Sequence, residues 1–111
     1  MKRTFIQTKQ FTERWDSLKL TDYELRELES LIIDHPELGK IVKGTGGLRK
    51  IRLSINNRGK SAGARVCYVD FVDLETVYLV TVYSKKEKNN LTNKEKSEIK
   101  SLINQLKEAL K

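Results

Sequence analysis

The sequence predicts an α+β domain in which helices pack on one face of a small antiparallel sheet, in the order β-α-α-β-β-β-α. Two observations predict this class. Apolar residues recur every three or four positions in three separate segments, a spacing typical of amphipathic helices. The second half of the chain also holds runs rich in valine and aromatic residues, which are typical of buried strands. At 111 residues the chain is long enough for one core, so we expect a single domain over residues 1–111.

The N-terminal segment predicts a short strand followed by a helix. The strand covers residues 4–7, and the helix covers about residues 9–18. Phe11, Trp15 and Leu18 recur at spacings of four and three, which places them on one apolar helix face.

A second helix begins near Thr21. This residue stands three positions before Glu24, a capping-box pair in which the hydroxyl and the carboxylate satisfy free amides at a helix start. The helix should end before Pro36, because the residue preceding a proline disfavours helical backbone angles. Its buried stripe consists of four aliphatic residues, Leu25, Leu28, Leu31 and Ile32.

The middle of the chain predicts three strands that follow a flexible connector. Glycines between residues 39 and 47 mark the connector, and residues 48–55 alternate in the manner of a strand. Residues 56–63 are polar and predict a hairpin loop before a strand over residues 64–71. A nearly continuous apolar run over residues 77–83 predicts the central strand.

The last segment predicts an amphipathic helix. It opens with a second capping box, formed by Thr92 and Glu95. Its apolar stripe recurs at spacings of three and four and consists of Ile99, Leu102, Ile103, Leu106 and Leu110.

Positive charge is concentrated in one stretch of the chain. Between Leu38 and Val69 there are eight Lys or Arg residues and no Asp or Glu, whereas the rest of the chain holds fourteen basic and fifteen acidic residues. The net charge of +7 therefore arises in this stretch. Because no neighbouring carboxylate cancels the local potential, a polyphosphate ligand, and nucleic acid first, is the expected partner.

Composition excludes several other classes of protein. His35 and Cys67, one of each kind, cannot assemble the usual His/Cys zinc set, so we expect neither a metal nor another cofactor. A single cysteine makes no internal disulfide, and no secretory signal is recognisable. The longest apolar runs are far shorter than the roughly 20 residues of a membrane span. We therefore expect a soluble, cytoplasmic protein.

Three cations on the predicted strands are the candidates for chemistry. If Ile51 and Leu53 face the core, Lys50 and Arg52 share the open face, and Arg65 opens the next strand. Arginine offers a planar fork of donors to phosphate oxygens, and a lysine among cations loses its proton more readily. Such a cluster could supply the base, the charge stabilisation and the acid that RNA cleavage requires. The alternative is a passive surface that binds the phosphate backbone.

The central strings resemble a known family. GTGGLRKIR at residues 44–52, GKSAGARV at residues 59–66 and YSKKE at residues 83–87, with Asn90-Leu91-Thr92 after them, resemble the RelE/HigB superfamily of toxins from bacterial toxin–antitoxin pairs. The HigB branch is the most similar. The resemblance covers essentially the whole chain in order and spacing.

The resemblance implies a RelE-like fold and an mRNA endonuclease that works in the ribosomal A site. It also implies partners: the ribosome, its message, and a small antitoxin, expected to be of the helix-turn-helix type, that inhibits the toxin and links it indirectly to operator DNA. Carried over by position, Lys50 is the candidate base, Arg52 and Arg65 hold the scissile phosphate, and Lys85 or Lys86 adds charge or protonates the leaving oxygen.

Further contacts with RNA or the ribosome are expected from a second set of residues, Lys43, Arg49, Arg58, Lys60 and Tyr83. The sequence departs from the best-known RelE pattern, in which a tyrosine just after the final strand stacks on a base. That place falls near Leu91 and Thr92 here. Tyr83 or Tyr68 could substitute, although both positions equally fit the core of the sheet. A non-enzymatic nucleic-acid binder and a decayed toxin that only binds its antitoxin remain alternatives.

Overall fold

Strands from both halves of the chain form one sheet in the computed structural model, which describes residues 2–53 and 63–109. Within these residues the sheet has five strands in the order β1-β5-β4-β3-β2. The strands are β1 Thr4–Gln7, β2 Lys40–Ile41, β3 Arg49–Leu53, β4 Ala64–Phe71 and β5 Thr76–Ser84. The helices are α1 Lys9–Ser17, α2 Asp22–Asp34 and α3 Asn93–Ala109. The α+β class is confirmed.

Both predicted capping boxes are present. At the start of α2 the Thr21 amide donates to Glu24 Oε1 at 2.9 Å, and the Glu24 amide donates to Thr21 Oγ1 at 3.1 Å. At the start of α3 the amide of Thr92 donates to Glu95 Oε1 at 2.8 Å, and the Glu95 amide donates to Thr92 Oγ1 at 3.1 Å. Each box satisfies amides that have no partner within the helix. The helix starts could therefore be predicted from four residues.

The prediction that helices pack on one face of the sheet is wrong, because α1 and α2 cover one face and α3 covers the other. Along β4, Val66 and Tyr68 pack in a core cluster with residues of α1 and α2. Cys67 and Val69 point the opposite way and belong to a second core cluster that includes Ile99 of α3. Since both faces of β4 are apolar, each needs its own helical cover. We call the second face the α3 face.

The sheet is also mixed and has one strand more than the predicted order. β1 pairs in parallel with β5, and β2 adds an antiparallel edge within the segment predicted as a flexible connector. A two-residue strand is too short to leave an alternation pattern. Its turn is held by the Thr45 hydroxyl, which donates to the Val42 carbonyl at 2.6 Å and accepts from the Leu48 amide at 3.1 Å.

None of the helices in the described part of the chain is both long and apolar enough to cross a membrane.

Candidate nucleic-acid interface

Strand register brings the predicted cations to one side of the sheet. Lys50 of β3 lies opposite Cys67 of β4, and Arg52 lies opposite Arg65. Directly opposed residues in an antiparallel ladder project from the same face. Since Cys67 packs against α3, Lys50, Arg52 and Arg65 all belong to the α3 face. Lys40 of β2 lies opposite Lys50 and extends this row of cations to the edge of the sheet.

These four cations line one shallow groove of about 360 Å³. The groove lies beside the segment that leads into β2, and its lining residues are Leu38, Lys40, Lys50, Ile51, Arg52 and Arg65. No carboxylate is among the lining residues that the structure describes. A concave surface whose described lining consists of cations and aliphatic groups has a positive potential, which suits a phosphodiester.

The turn after β5 lies across the α3 face and contacts the groove. Its Asn90 Oδ1 accepts a hydrogen bond from Lys50 Nζ at 3.2 Å. Its Lys88 Nζ pairs with Glu95 Oε2 of α3 at 2.5 Å and lies 5.2 Å from the centroid of the Tyr83 ring. Lys88 is the main reason that the pKa of Glu95 is lowered, and the Thr92 amide acts in the same direction. The turn is therefore tied to both β3 and α3.

A second ion pair ties the same turn to α1. Arg14 pairs with Glu87, and Arg14 Nε also donates to the Val82 carbonyl at 3.3 Å. The Ser84 amide donates to Glu87 Oε1 at 3.1 Å. The Arg14 guanidinium is the main reason that the pKa of Glu87 is lowered. The exposed side chains of Lys85 and Lys86 stand in this turn, next to the groove-bearing end of β4, because the Lys85 amide donates to the Gly63 carbonyl at 3.2 Å.

Neither tyrosine considered for base stacking is accessible. Tyr83 is 1% exposed and lies beneath Lys88, and burial raises its pKa to about 12. Its hydroxyl has no hydrogen-bond partner within the described residues. Tyr68 is fully buried on the opposite face, where its hydroxyl donates to the Pro36 carbonyl at 2.8 Å and accepts from the Gly39 amide at 3.1 Å. Both rings belong to the core in this conformation, so neither can stack on a base.

Two of the remaining predicted contact residues, Arg49 and Lys43, are not among the residues that line the groove. Arg49 is on the face of α1 and α2, where its Nη1 donates to the Gly39 carbonyl at 2.7 Å and to the Glu37 carbonyl at 3.3 Å. These bonds hold the segment between α2 and β2, so the guanidinium of Arg49 is engaged in stabilising the fold. Lys43 is exposed in the turn between β2 and β3. The predictions for Arg58 and Lys60 lie outside the described residues.

Sequence reasoning missed three residues near the groove: Lys40, Lys88 and Asn90. Lys40 belongs to the basic stretch, but its segment predicts a connector and not a strand. Lys88 and Asn90 lie near the groove because the turn after β5 folds back over the α3 face, and no local sequence pattern predicts that path. The three lysines around Glu87 are the sequence feature that indicates positive charge in this turn.

Chemically, the groove can hold a backbone phosphate. Guanidinium groups donate in a fork that matches two phosphate oxygens, whereas a lysine amine donates to an anion or accepts a proton when neutral. Cys67, behind Lys50, contributes no nucleophile, because burial raises its pKa to about 12 despite the nearby Lys50 and Lys88.

Comparison with solved structures supports the fold. A doubly substituted mutant of the E. coli toxin RelE in the free state superimposes with a TM-score of 0.56 at 17% identity, over 79% of this chain and 88% of that chain. The intact E. coli RelBE toxin–antitoxin complex gives a TM-score of 0.56 at 18% identity, over 74% of this chain and 95% of that chain. At these identities the likeness establishes the fold alone.

The sequence itself establishes the family. Residues 2–111 match the family described as the RelE toxin of the RelE/RelB toxin–antitoxin system. The match covers nearly the whole chain, in agreement with the resemblance carried by the central strings. The chain therefore belongs to the RelE toxin family.

Proposed function

We propose that this protein is a ribosome-dependent mRNA endonuclease that stops translation and is inhibited by a cognate antitoxin. The observation that carries the proposal is the convergence of Lys50, Arg52 and Arg65 on one groove whose described lining residues include no carboxylate. Membership in the RelE family supports the choice of RNA over other polyphosphates. Within the superfamily, the strings at residues 44–52 and 59–66 favour the HigB branch.

The proposed reaction needs only side chains of this chain. Lys50, in its neutral form, accepts the proton of a 2′-hydroxyl, and the 2′-oxygen attacks the adjacent phosphorus. Arg52 and Arg65 donate to the non-bridging oxygens and stabilise the charge that develops there. The 5′-oxygen leaves and takes a proton from Lys85 or Lys86. The products are then a 2′,3′-cyclic phosphate and a 5′-hydroxyl end.

The character of the groove supports a reaction without a bound metal ion. Four cationic side chains in one groove repel a divalent cation, and they supply positive charge of the kind that a metal ion would bring to a phosphate. The same charges favour an inhibitor with acidic residues, so we expect the antitoxin to present carboxylates to this surface or next to it. One solved neighbour is described as a toxin–antitoxin complex, which supports such a partner. Action on translating ribosomes places the protein in the cytoplasm, and any contact with operator DNA would pass through the antitoxin.

Induced expression in bacteria tests the proposal. Wild type should stop growth, and sequencing of cellular RNA ends should reveal new 5′-hydroxyl ends within translated messages. Lys50→Ala and Arg65→Ala should each restore growth at equal protein levels. The matched control is Lys9→Ala, because Lys9 is 91% exposed on α1 and away from the groove. Growth arrest without new RNA ends would contradict an endonuclease.

A decayed toxin is the second candidate, and one observation favours it. Among the described residues lining the groove there is no aromatic side chain, and Tyr83 nearby is buried. A decayed toxin would bind the antitoxin, leave growth unaffected and produce no RNA ends in the same experiment. A passive nucleic-acid binder would instead show strongly salt-dependent binding without cleavage.

A further inference from the structure

We propose that Asn90 is a positioning residue that holds the Lys50 amine in the groove. The inference rests on the proposed function, since it assigns Asn90 a part in the action of the candidate base. Asn90 lies in the turn between β5 and α3.

The contact joins two segments that are far apart in sequence. Lys50 projects from β3, and Asn90 Oδ1 accepts from its Nζ at 3.2 Å. A lysine ammonium has donors only, so the amide oxygen, and not the amide nitrogen, must face it. The NH₂ of the same amide is a second group that can contact a ligand in the groove.

Asn90 is held from both sides along the chain. Two residues earlier, Lys88 is paired with Glu95 and lies over the Tyr83 ring. The next residue, Leu91, is 6% exposed and packs in the core cluster of α3. Because its neighbours are anchored, the backbone at Asn90 is placed before any ligand arrives, and only side-chain freedom is lost in making the contact.

A neutral acceptor suits a lysine that must release its proton. The charged and titratable groups around the Lys50 amine are Lys40 on β2, Arg52 on β3, Arg65 and Cys67 on β4, Lys88 in the turn, and Glu95 on α3, whose carboxylate is paired with Lys88. These cations repel the ammonium and would displace a long, flexible side chain from the groove. The amide oxygen fixes its direction, whereas a carboxylate there would also stabilise the ammonium and oppose proton release.

Single-turnover cleavage of a message on programmed ribosomes, measured against pH, tests the inference with protein made by cell-free synthesis. Asn90→Asp should move the rise in rate to higher pH, because a carboxylate beside Lys50 favours its protonated form. The contact is exposed, so solvent screens the pair and the expected shift is about half a unit. Asn89→Asp adds the same charge one residue away and should leave the profile unchanged. Asn90→Ala should lower the single-turnover rate constant by about three- to tenfold, as expected for one lost hydrogen bond, without weakening ribosome binding.

A second measurement is independent of cleavage. NMR titration of the Lys50 side chain should give a higher pKa in Asn90→Asp than in Asn89→Asp. If wild type cleaves and the two aspartate variants titrate alike in both experiments, the positioning role of Asn90 is refuted while the proposed function stands. If wild type cleaves nothing, the proposed function and the catalytic purpose of Asn90 fall together, and the lysine titration still decides whether the contact exists.

Discussion

Replacing Tyr68 by phenylalanine removes one oxygen that joins α2, β2 and β4. The hydroxyl donates to the Pro36 carbonyl at 2.8 Å and accepts from the buried Gly39 amide at 3.1 Å. Tyr68 itself is fully buried, so water cannot easily replace the lost partner. A buried group left without a hydrogen bond costs about 1–3 kcal/mol. With one buried amide and one partly buried carbonyl affected, we expect a loss of about 2–3 kcal/mol in the free energy of unfolding.

Urea denaturation measures this loss. For a slope of about 1.5 kcal/mol per molar urea, the midpoint of unfolding should fall by about 1.3–2 M. Tyr23→Phe is the matched control, because Tyr23 is 62% exposed and should show no comparable change. Equal urea midpoints for the two variants would refute the reasoning that the Tyr68 hydroxyl satisfies the Pro36 carbonyl and the Gly39 amide.

Tyr68→Phe should also affect the groove, because the segment that Tyr68 holds leads into β2. Gly39 immediately precedes Lys40, and a Cβ added at Gly39 would lie 2.8 Å from both Ile51 Cγ2 and the Tyr68 hydroxyl. Position 39 therefore has no room for a side chain, because Gly39 packs directly against Tyr68 and Ile51. We expect Tyr68→Phe to loosen the Lys40 side of the groove and to reduce cleavage less than Arg65→Ala does.

Three further predictions concern charge and burial. The lowered pKa of Glu87 means that its ion pair stabilises the fold above the usual value near 4.5 and that this stabilisation is lost as the pH falls through the lowered pKa. In acid-unfolding experiments Glu87→Gln should therefore lose less stability between neutral and acidic pH than wild type. Asp70→Asn should lower the thermal midpoint more than Glu13→Gln, because the Arg3–Asp70 side chains are each 6% exposed whereas Glu13 is 66% exposed. Cys67, with its pKa raised to about 12, should resist iodoacetamide at pH 8 until the protein unfolds; rapid alkylation of the native protein would contradict its burial.

Local patterns predicted the elements well wherever the information was local. The capping boxes at Thr21 and Thr92 mark the starts of α2 and α3, and Pro36 marks the limit of α2. Alternation along residues 48–53 placed Lys50 and Arg52 on the same face, which register confirms. Whether these side chains act in RNA cleavage stays a prediction.

What sequence could not predict depends on contacts between distant segments. The α3 face exists because both sides of β4 are apolar, yet the sequence does not say which helix covers which side. The engagement of Arg49 by the Gly39 carbonyl and the burial of Tyr83 under Lys88 depend on how turns fold back onto the sheet. The contact between Lys50 and Asn90 spans forty positions, and no periodicity encodes it.

Cleavage of a defined message on purified ribosomes tests the account most directly. Wild type should cut the message and leave 5′-hydroxyl ends, while Lys50→Ala, Arg52→Ala and Arg65→Ala each lose most of this activity and Lys9→Ala keeps it. Full cleavage by all three groove variants would contradict the claim that these cations form one site on the α3 face.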